Sequence, residues 1–503
     1  MGQVLKVKII ILLLLTTCGL AGVHRVPSDY PTIQAGIDAS ANGDTVLVAP
    51  GTYTGDGNRD IDFKGKAITV KSENGPQTCI IDCNSVSREW HQGFFFRSSE
   101  DCNSVLSGFT ITKGRGIICK SGSSPTIIDC WIGESDPCTV EYLHTSGPGI
   151  VCFDHSNPTI IKCSIVGNVS WDGAGIACHD SDPNIINCLI SSNVAIGAPK
   201  IIILPGTGGG IFCTQSNPTI TNSIIVNNRA DCGGGIYCEN SDPIIKNCLI
   251  MGNGELVPRR DGRDFAIEGG GGIHCDASSP TIINCTLVGN VNLFGRGGAI
   301  YSFDRSNPII HNCILWANLA EYGNQIALGG RTDWDIYSST ATVTYSDIQG
   351  GQAVIEVDPN STLEWGPGNI DIDPFFADFG YWASANDPNQ IAEPNDTEAF
   401  WICGDYHLKS QAGRWDPKTQ SWVIDDVTSP CIDTGNPKSP IGLEPFPNGG
   451  RINMGAYGGT IEASKSYFGE PLCETVIAGD INGDCKVDFT DFVIMASHWF
   501  EER

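Results

Sequence analysis

Residues 208–228 are GGGIFCTQSNPTITNSIIVNN, and residues 233–253 are GGGIYCENSDPIIKNCLIMGN. Each copy runs from Gly-Ile-x-Cys through a Ser-x-Pro turn to an Ile-rich stretch and ends at Asn. The unit recurs from about residue 116 to residue 318 with a minimum period of 25 residues. A repeat of this length is typical of solenoids, in which each unit buries its apolar side against the next unit.

Three columns of like residues emerge when the copies are aligned. The first column is Cys119, Cys152, Cys178, Cys213, Cys238 and Cys275. The second is Cys130, Cys163, Cys188, Cys248, Cys285 and Cys313, with Ser223 in the matching place. The third is Asn168, Asn193, Asn228, Asn253, Asn290 and Asn318. The copies lack helical periodicity, so they predict short strands stacked in register about 4.8 Å apart, which is a parallel β-helix.

The cysteine columns have two interpretations. In-register stacking brings neighbouring Cα atoms within disulfide range, but parallel Cβ vectors make the disulfide dihedral hard to reach. We therefore expect packed, unbridged thiols in the columns. Better disulfide candidates are Cys403 with Cys431, and Cys79 with Cys83 or Cys102. The columns lack the paired spacing of zinc sites.

The composition indicates an exported, acidic protein. The 503 residues hold 30 Lys and Arg against 57 Asp and Glu, a net charge of −27, which disfavours nucleic acids and anionic membranes as partners. Residues 1–22 resemble a signal peptide, with an apolar run too short to span a bilayer. An alternative is a lipoprotein cleavage box that would anchor the chain at Cys18. We expect an extracellular or cell-surface location and no transmembrane segment.

Residues 30–38, YPTIQAGID, and residues 42–53, NGDTVLVAPGTY, resemble the entry of pectin-lyase-like right-handed β-helices. The resemblance covers about residues 26–350. It implies an all-β, right-handed, single-stranded parallel β-helix over residues 23–350, closed at its N-terminal end by a capping helix. It implies little about activity, because the superfamily includes lyases, hydrolases, esterases, epimerases and adhesins. The signature motifs of polygalacturonases and pectin methylesterases are absent from the sequence.

The two C-terminal segments differ from the repeat. Residues 351–465 are rich in Pro, Asp, Trp and Gly, and we expect irregular structure packed along or over the end of the helix. Residues 466–503 contain a motif that resembles one half of a type I dockerin, an EF-hand-like calcium loop. The calcium ligands implied are Asp480, Asn482, Asp484, Lys486 through its carbonyl, Asp488 and Asp491. Cys485 replaces the usual Gly and a second loop is missing, which puts docking to a cohesin-like partner in doubt.

Three long arcs mark one edge of the predicted helix. The arc between the two cysteine columns is 15 residues in short coils, but 22 from Cys130, 25 from Cys188 and 27 from Cys248. The third arc contains Arg259, Arg260 and Arg263, which we predict as catalytic candidates able to neutralise a uronate carboxylate. The alternative is a solvated loop with internal ion pairs. Trp131 and Trp171 lie near the arcs in the sequence and are candidates for stacking on sugars.

A second catalytic candidate is the pair Asp154 and Asp180, each two residues past a column cysteine and accompanied by His155 and His179. Stacked coils should bring the two carboxylates within about 5 Å, which suits a retaining glycosidase or a calcium site. The alternative is a polar turn. Three functions stay open: a secreted carbohydrate-binding protein, a divergent polysaccharide lyase or glycoside hydrolase acting on acidic or plant-type glycans, and an adhesin.

Overall fold

The Ile-rich segments of the repeat form short strands, and β-branched residues suit their buried inner faces. The computed structural model describes residues 21–85, 89–134, 147–197, 205–255, 269–331, 336–394, 396, 398–466 and 487–497. Each coil passes from sheet A to sheet B and then to sheet C before returning to sheet A. All strands within these sheets pair in parallel with the strands of the adjacent coils. The predicted parallel β-helix is confirmed.

Four parallel sheets make up the helix. Sheet A has thirteen strands: Val23–Val26, Thr45–Val48, Thr69–Ser72, Val105–Ser107, Thr126–Ile128, Thr159–Ile161, Asn184–Ile186, Thr219–Thr221, Ile244–Lys246, Thr281–Ile283, Ile309–His311, Thr340–Thr344 and Thr362–Trp365. Sheet B has eleven: Gly51–Tyr53, Cys79–Asp82, Thr110–Thr112, Trp131–Gly133, Ser164–Val166, Leu189–Ser191, Ile224–Val226, Leu249–Met251, Thr286–Val288, Ile314–Trp316 and Asp347–Ile348. Sheet C has eleven: Ile61–Asp62, Gln92–Phe96, Arg115–Cys119, Ile150–Cys152, Ile176–His179, Ile211–Thr214, Ile236–Glu239, Ile273–Asp276, Ile300–Phe303, Ile326–Leu328 and Glu356–Val357. Sheet D lies between sheets B and C and has six: Val169–Ser170, Val194–Ala195, Arg229–Ala230, Gly254–Glu255, Val291–Arg296 and Leu319–Tyr322.

The N-terminal end of the core is covered by helix α1, Ile33–Ala39, as the resemblance implied. Thr32 caps this helix through its hydroxyl, which accepts a hydrogen bond from Ala35 N at 3.2 Å. Ile33 and Ile37 are fully buried and face the first coils. A second helix, α2, spans Phe489–Ser497, and a short 3₁₀ helix spans Gly351–Val354. In the described part of the chain, no helix is long and apolar enough to cross a membrane.

Both cysteine columns run inside the helix, and the buried Ser223 fills one place in the second column. Cys152, Cys178, Cys213, Cys238 and Cys275 pair in register on sheet C and are fully buried. Burial raises the pKa of the Cys275 thiol well above its ordinary value. All eighteen cysteines within the described residues are unbridged, so the column thiols are packed as predicted.

The disulfides proposed outside the columns are absent from the structure, and that prediction is wrong. Cys79 and Cys83 are buried thiols, whereas Cys102 and Cys403 are exposed and unbridged. The buried Cys431 donates a hydrogen bond through its thiol to Asp347 Oδ2 at 3.0 Å. Sequence position alone could not show that Cys79 begins a core strand of sheet B and so packs like the column thiols.

The asparagine column forms a hydrogen-bonded ladder. From Asn168 to Asn290, each side-chain Nδ2 donates to Oδ1 of the asparagine in the next coil at 2.9–3.0 Å. The last member, Asn318, donates to Gln325 Oε1 at 2.7 Å. A serine ladder that we did not predict runs beside it at the Ser-x-Pro turns, where Ser181 N donates to Ser216 Oγ at 3.0 Å. These ladders satisfy backbone groups that bends would otherwise leave unpaired.

The C-terminal segment is not wholly irregular, which corrects our expectation. It contains short antiparallel strands: Phe376–Asp378 with Asp405–Leu408, Tyr381–Ser384 between Asp387–Ile391 and Phe400–Ile402, and Arg414–Asp416 with Ser421–Val423. A further antiparallel pair, Gly330–Arg331 with Ile336–Tyr337, precedes it. The segment packs along the outer face of sheet B and forms a second core there, in which Leu249 and Ile314 meet Trp401 and Met454. The C-terminal segment therefore covers the outer face of sheet B from the strand Leu189–Ser191 onward.

Candidate functional site

Most coils enter sheet B through one residue in the left-handed backbone region. In five later coils this position holds an amide, Asn187, Asn222, Asn247, Asn284 and Asn312, and in the last coil it holds Tyr345. Asn tolerates this conformation because its short side chain can bond locally. Two earlier coils instead place Asp129 and Lys162 there, at φ 52° and 54°.

The turn that leaves sheet B also has charged residues at its left-handed position in two coils. Most coils have a small or amide residue at its left-handed position: Gly167, Ser192, Asn227, Gly252, Gly289 and Ala317. Two neighbouring coils have Lys113 and Glu134, at φ 54° and 53°. Long charged side chains in a conformation that favours Gly and Asn point to a role beyond making the turn. The sequence carries this signal, but it becomes visible only once the coils are aligned on their turns.

These charged residues border a groove on the outer face of sheet B. The groove has a volume of about 600 Å³, and Lys113 and Glu134 line it on one edge while Asp129 and Lys162 line it on the other. Trp131 lies on its floor. A Cβ added at Gly133 would lie 2.7 Å from the Trp131 ring, so the indole extends across the bare backbone of its own strand. A half-buried indole laid along a sheet presents a flat apolar surface to the groove.

The charges in the groove are partly paired. Lys113 Nζ donates to Asp82 Oδ2 at 2.7 Å, and this hydrogen bond raises the pKa of the Lys113 ammonium. Glu134 Oε2 accepts a hydrogen bond from Thr112 Oγ1 at 3.3 Å. Lys162 and Asp129 are exposed on the opposite edge. Each edge of the groove therefore offers a carboxylate acceptor and an ammonium donor, and the Trp131 ring lies between the two edges.

The groove is open because the C-terminal segment stops short of it. The outward row of sheet B continues in register from Trp131 through Ser164 and Leu189 to Leu249. Leu189 already packs against the C-terminal segment, and Leu249 is buried beneath it. The same row of side chains thus changes from covered core to exposed groove along one sheet. This placement could not be predicted from the repeat.

Asp154 and Asp180, the predicted carboxylate pair, lie on exposed turns of neighbouring coils between sheets C and A. Both occupy left-handed positions, at φ 52° and 46°, which other coils fill with Gln215 and Asn240. The two turns are joined by a hydrogen bond from His155 N to Asp180 O of 2.8 Å. The structure thus brings the two turns together, and turn formation by itself accounts for an aspartate at each position.

His179 lies next to this pair at the edge of an aromatic row on sheet C. Its ring stacks on Phe153 at 5.0 Å, and burial lowers the pKa of its imidazole. Farther along the same face, Tyr237 OH donates to Asp276 Oδ2 at 3.3 Å. Burial and the nearby charge of Glu239 raise the pKa of Asp276 to about 6. This face combines stacked rings with carboxylates, and it lies on a different side of the helix from the groove.

The predicted arginines of the third arc, Arg259, Arg260 and Arg263, lie outside the described residues. The second arc leaves sheet D after Val194–Ala195 and the third leaves it after Gly254–Glu255, with one coil between them. Both return to sheet C. Trp171 lies beside the second arc, where its carbonyl accepts a hydrogen bond from Gly197 N at 3.2 Å. Trp131 and Trp171 therefore belong to different surfaces.

The predicted calcium loop is described only at its end. Asp480, Asn482, Asp484 and Lys486 lie outside the described residues. Asp488 directly precedes helix α2, and Asp491 in the first turn is 2% exposed. Asp491 Oδ2 accepts a hydrogen bond from Asp488 N at 2.8 Å, which is the contact that an acidic residue in the first turn makes when it caps a helix. Among the described residues, no group of three or more His, Cys, Asp or Glu side chains is arranged to hold a metal ion.

The stacked coils and their ladders define the class of this protein as a right-handed parallel β-helix. The family model for a right handed beta helix region matches residues 46–202, 134–314 and 207–365, and the chain belongs to this family. A model described as disaggregatase related matches residues 387–435 in the C-terminal segment. The structure is similar to that of pectate lyase Pel9A, with 13% sequence identity, a TM-score of 0.42 and coverage of 86% of this chain and 96% of that chain. None of the curated proteins compared with the chain matches it.

Proposed function

We propose that this chain is an extracellular β-helix protein that binds a polysaccharide in the groove on sheet B. The observation that carries the proposal is the placement of Trp131 on the floor of an open groove of about 600 Å³, between charged residues in strained turn positions. Sugars have one apolar face and a rim of hydroxyls. An aromatic platform with polar groups at its edges matches both features.

The groove has three carboxylates and two ammonium groups. Asp82 neutralises Lys113 at 2.7 Å, which leaves Lys162 as the cation available to an acidic sugar. Asp129 and Glu134 can accept hydrogen bonds from hydroxyls. This arrangement favours a glycan that carries both hydroxyls and occasional carboxylates, such as an acidic or plant-type polysaccharide.

The first experiment measures binding. Trp131→Ala should weaken the affinity for soluble polysaccharides about tenfold or more, since the loss of one stacking platform removes roughly 1.5–3 kcal/mol of contact. The matched control is Trp422→Ala, which removes another half-buried indole that packs edge-to-face against Trp415 in the C-terminal segment. Affinity electrophoresis with a panel of acidic and neutral glycans gives the comparison. Equal affinity of wild type and Trp131→Ala for every glycan would refute the proposed groove.

The same panel distinguishes binding from catalysis. A lyase would produce unsaturated uronates that absorb ultraviolet light, and a hydrolase would produce reducing ends. Glu134 lines the groove three residues after Trp131 and accepts a hydrogen bond from Thr112 Oγ1, and we take it as the candidate for acid–base catalysis there. If product forms, Glu134→Gln should abolish it while binding persists. If no glycan yields product, the chain is a binding protein.

Two further proposals concern the ends of the chain. We propose that residues 1–22 direct export and that the tail binds calcium through the loop from Asp480 to Asp491, with a cohesin-like protein as a candidate partner. The spacing of oxygen-bearing side chains over residues 480–491 supports the loop assignment. An adhesin would bind cells or partner proteins without glycan preference. Loss of cell binding in the presence of competing glycan would indicate a carbohydrate-mediated contact, whereas unchanged cell binding would indicate a protein-mediated one.

A further inference from the structure

We infer a second ligand site, for a short neutral oligosaccharide, in a cleft where the C-terminal segment meets the last coils of the helix. The cleft has a volume of about 540 Å³, within the range of small-molecule sites. It lies on later coils, next to Val291 and Leu319 of sheet D, and shares none of its lining residues with the Trp131 groove on sheet B. It goes beyond the proposed function, because the groove alone would suffice for polysaccharide binding.

The first argument is the charge of the cleft. Its described lining consists of apolar, aromatic and amide residues, with no Asp, Glu, Lys, Arg or His among them. A ligand with a formal charge would lose its hydration here without gaining a counter-ion, which is costly. In so acidic a chain, a cleft without charge selects a neutral ligand.

The second argument concerns two amide groups whose orientation is fixed. Gln349 Oε1 accepts a hydrogen bond from Ala317 N at 2.7 Å, and Asn324 Oδ1 accepts one from Ala320 N at 2.9 Å. A backbone N–H can only donate, so each side chain must point its oxygen toward that N–H and its NH₂ group away from it. Within the part of the chain that the structure describes, neither NH₂ group has a hydrogen-bond partner. Two oriented donors at a cleft suit hydroxyl and ring oxygens.

The third argument is the apolar wall. Leu319, Val354 and Ile391 are 37%, 39% and 75% exposed, and all three lie at this cleft. Tyr381 and Trp382 form the opposite side, and the Tyr381 hydroxyl is anchored to Pro388 O at 3.1 Å. Clustered exposed apolar side chains around oriented donors are typical of a ligand site. A sugar ring has the complementary combination of an apolar face and acceptor oxygens.

The test uses the full chain and isosteric variants. Asn324→Asp and Gln349→Glu keep the oxygen that accepts the backbone N–H and replace the free NH₂ with a charged oxygen. Each should weaken binding of cellotriose or xylotriose about tenfold or more, measured by titration calorimetry and saturation-transfer NMR. Asn217→Asp is the matched control, because Asn217 is exposed and its Oδ1 also accepts a backbone N–H, from Asp242 at 2.7 Å.

The outcomes separate this site from the groove. Binding that is lost in Asn324→Asp but retained in Trp131→Ala and Asn217→Asp supports the inference, and tri-galacturonate should bind the cleft at least about tenfold more weakly than the neutral probes. Binding that is lost only in Trp131→Ala overturns it, as does the absence of neutral-probe binding at millimolar concentration. Concentration-dependent self-association that disappears in Asn324→Asp would instead assign the cleft to a second copy of the chain and also overturn it.

Discussion

Replacement of Asn228 by Ala should destabilise the helix strongly, because this residue satisfies two backbone groups at once. Asn228 is fully buried. Its Nδ2 donates to Ile190 O at 2.9 Å, and its Oδ1 accepts from Asn193 N at 3.0 Å. Alanine leaves the Asn193 N–H without a partner in a dry interior and removes one hydrogen bond from Ile190 O, which stays in the ladder between its strand and Ile224–Val226. Asn253 Oδ1 and Asn193 Nδ2 keep other partners, Asn228 N and Ile165 O, so one orphaned donor remains.

The orphaned Asn193 N–H costs about 1–3 kcal/mol and the lost bond to Ile190 O about 0.5–1.5 kcal/mol, which gives about 1.5–4.5 kcal/mol for Asn228→Ala. Asn217→Ala is the control, since it removes an exposed amide whose partner, Asp242 N, is also exposed and can bind water instead. The control should cost about 0.5 kcal/mol or less. Both variants shorten the same residue type in the same coil, so the difference isolates burial.

The assay is urea unfolding followed by tryptophan fluorescence and by far-ultraviolet circular dichroism. A repeat array can unfold in parts, so both probes must give one transition with an unchanged slope before a free energy of unfolding is compared. If the two probes give different transitions, the urea midpoint of the transition that includes the helix is compared instead of the free energy of unfolding. The reasoning fails if Asn228→Ala lies within about 1 kcal/mol of wild type, or if Asn217→Ala loses as much.

Three other predictions concern protons, thiols and calcium. Burial raises the pKa of Asp347 from 3.8 to about 7, so the folded state keeps a proton that the unfolded state releases. The free energy of unfolding should therefore fall as the pH rises from about 4 to about 7. Asp347→Asn should flatten this pH dependence by up to ~4 kcal/mol. A thiol reagent applied to the native protein should label Cys102 and Cys403, as peptide mapping would show, while column thiols such as Cys213 should react only after denaturation. Labelling of the column thiols in the native protein would contradict the packed core. Asp480→Ala should remove calcium binding measured by calorimetry, and unchanged binding would exclude the tail loop as the site.

The candidate site was only partly visible in the sequence. Trp131 was identified as a sugar-stacking candidate, but Lys113 and Glu134 were not, because nothing in their local sequence marks a shared turn. Their common left-handed backbone conformation appears only when the coils are superposed. Asp154 and Asp180 illustrate the opposite case: the spacing placed them on neighbouring turns correctly, but the same turn in other coils carries Gln or Asn, so the pattern reflects turn chemistry as well as any function.

The sequence by itself determined the helix, its hand through the family resemblance, its capping helix and the three columns of like residues. A repeat encodes these features locally, since each residue's neighbours in space are its own counterparts one coil away. The tertiary structure decided which outer faces remain open. Whether a row such as Trp131, Leu189 and Leu249 forms a groove or part of the second core depends on where the C-terminal segment packs along sheet B. That contact joins residues up to 211 positions apart, as in the hydrogen bond from Asn247 Nδ2 to Gly458 O, and no local pattern records it.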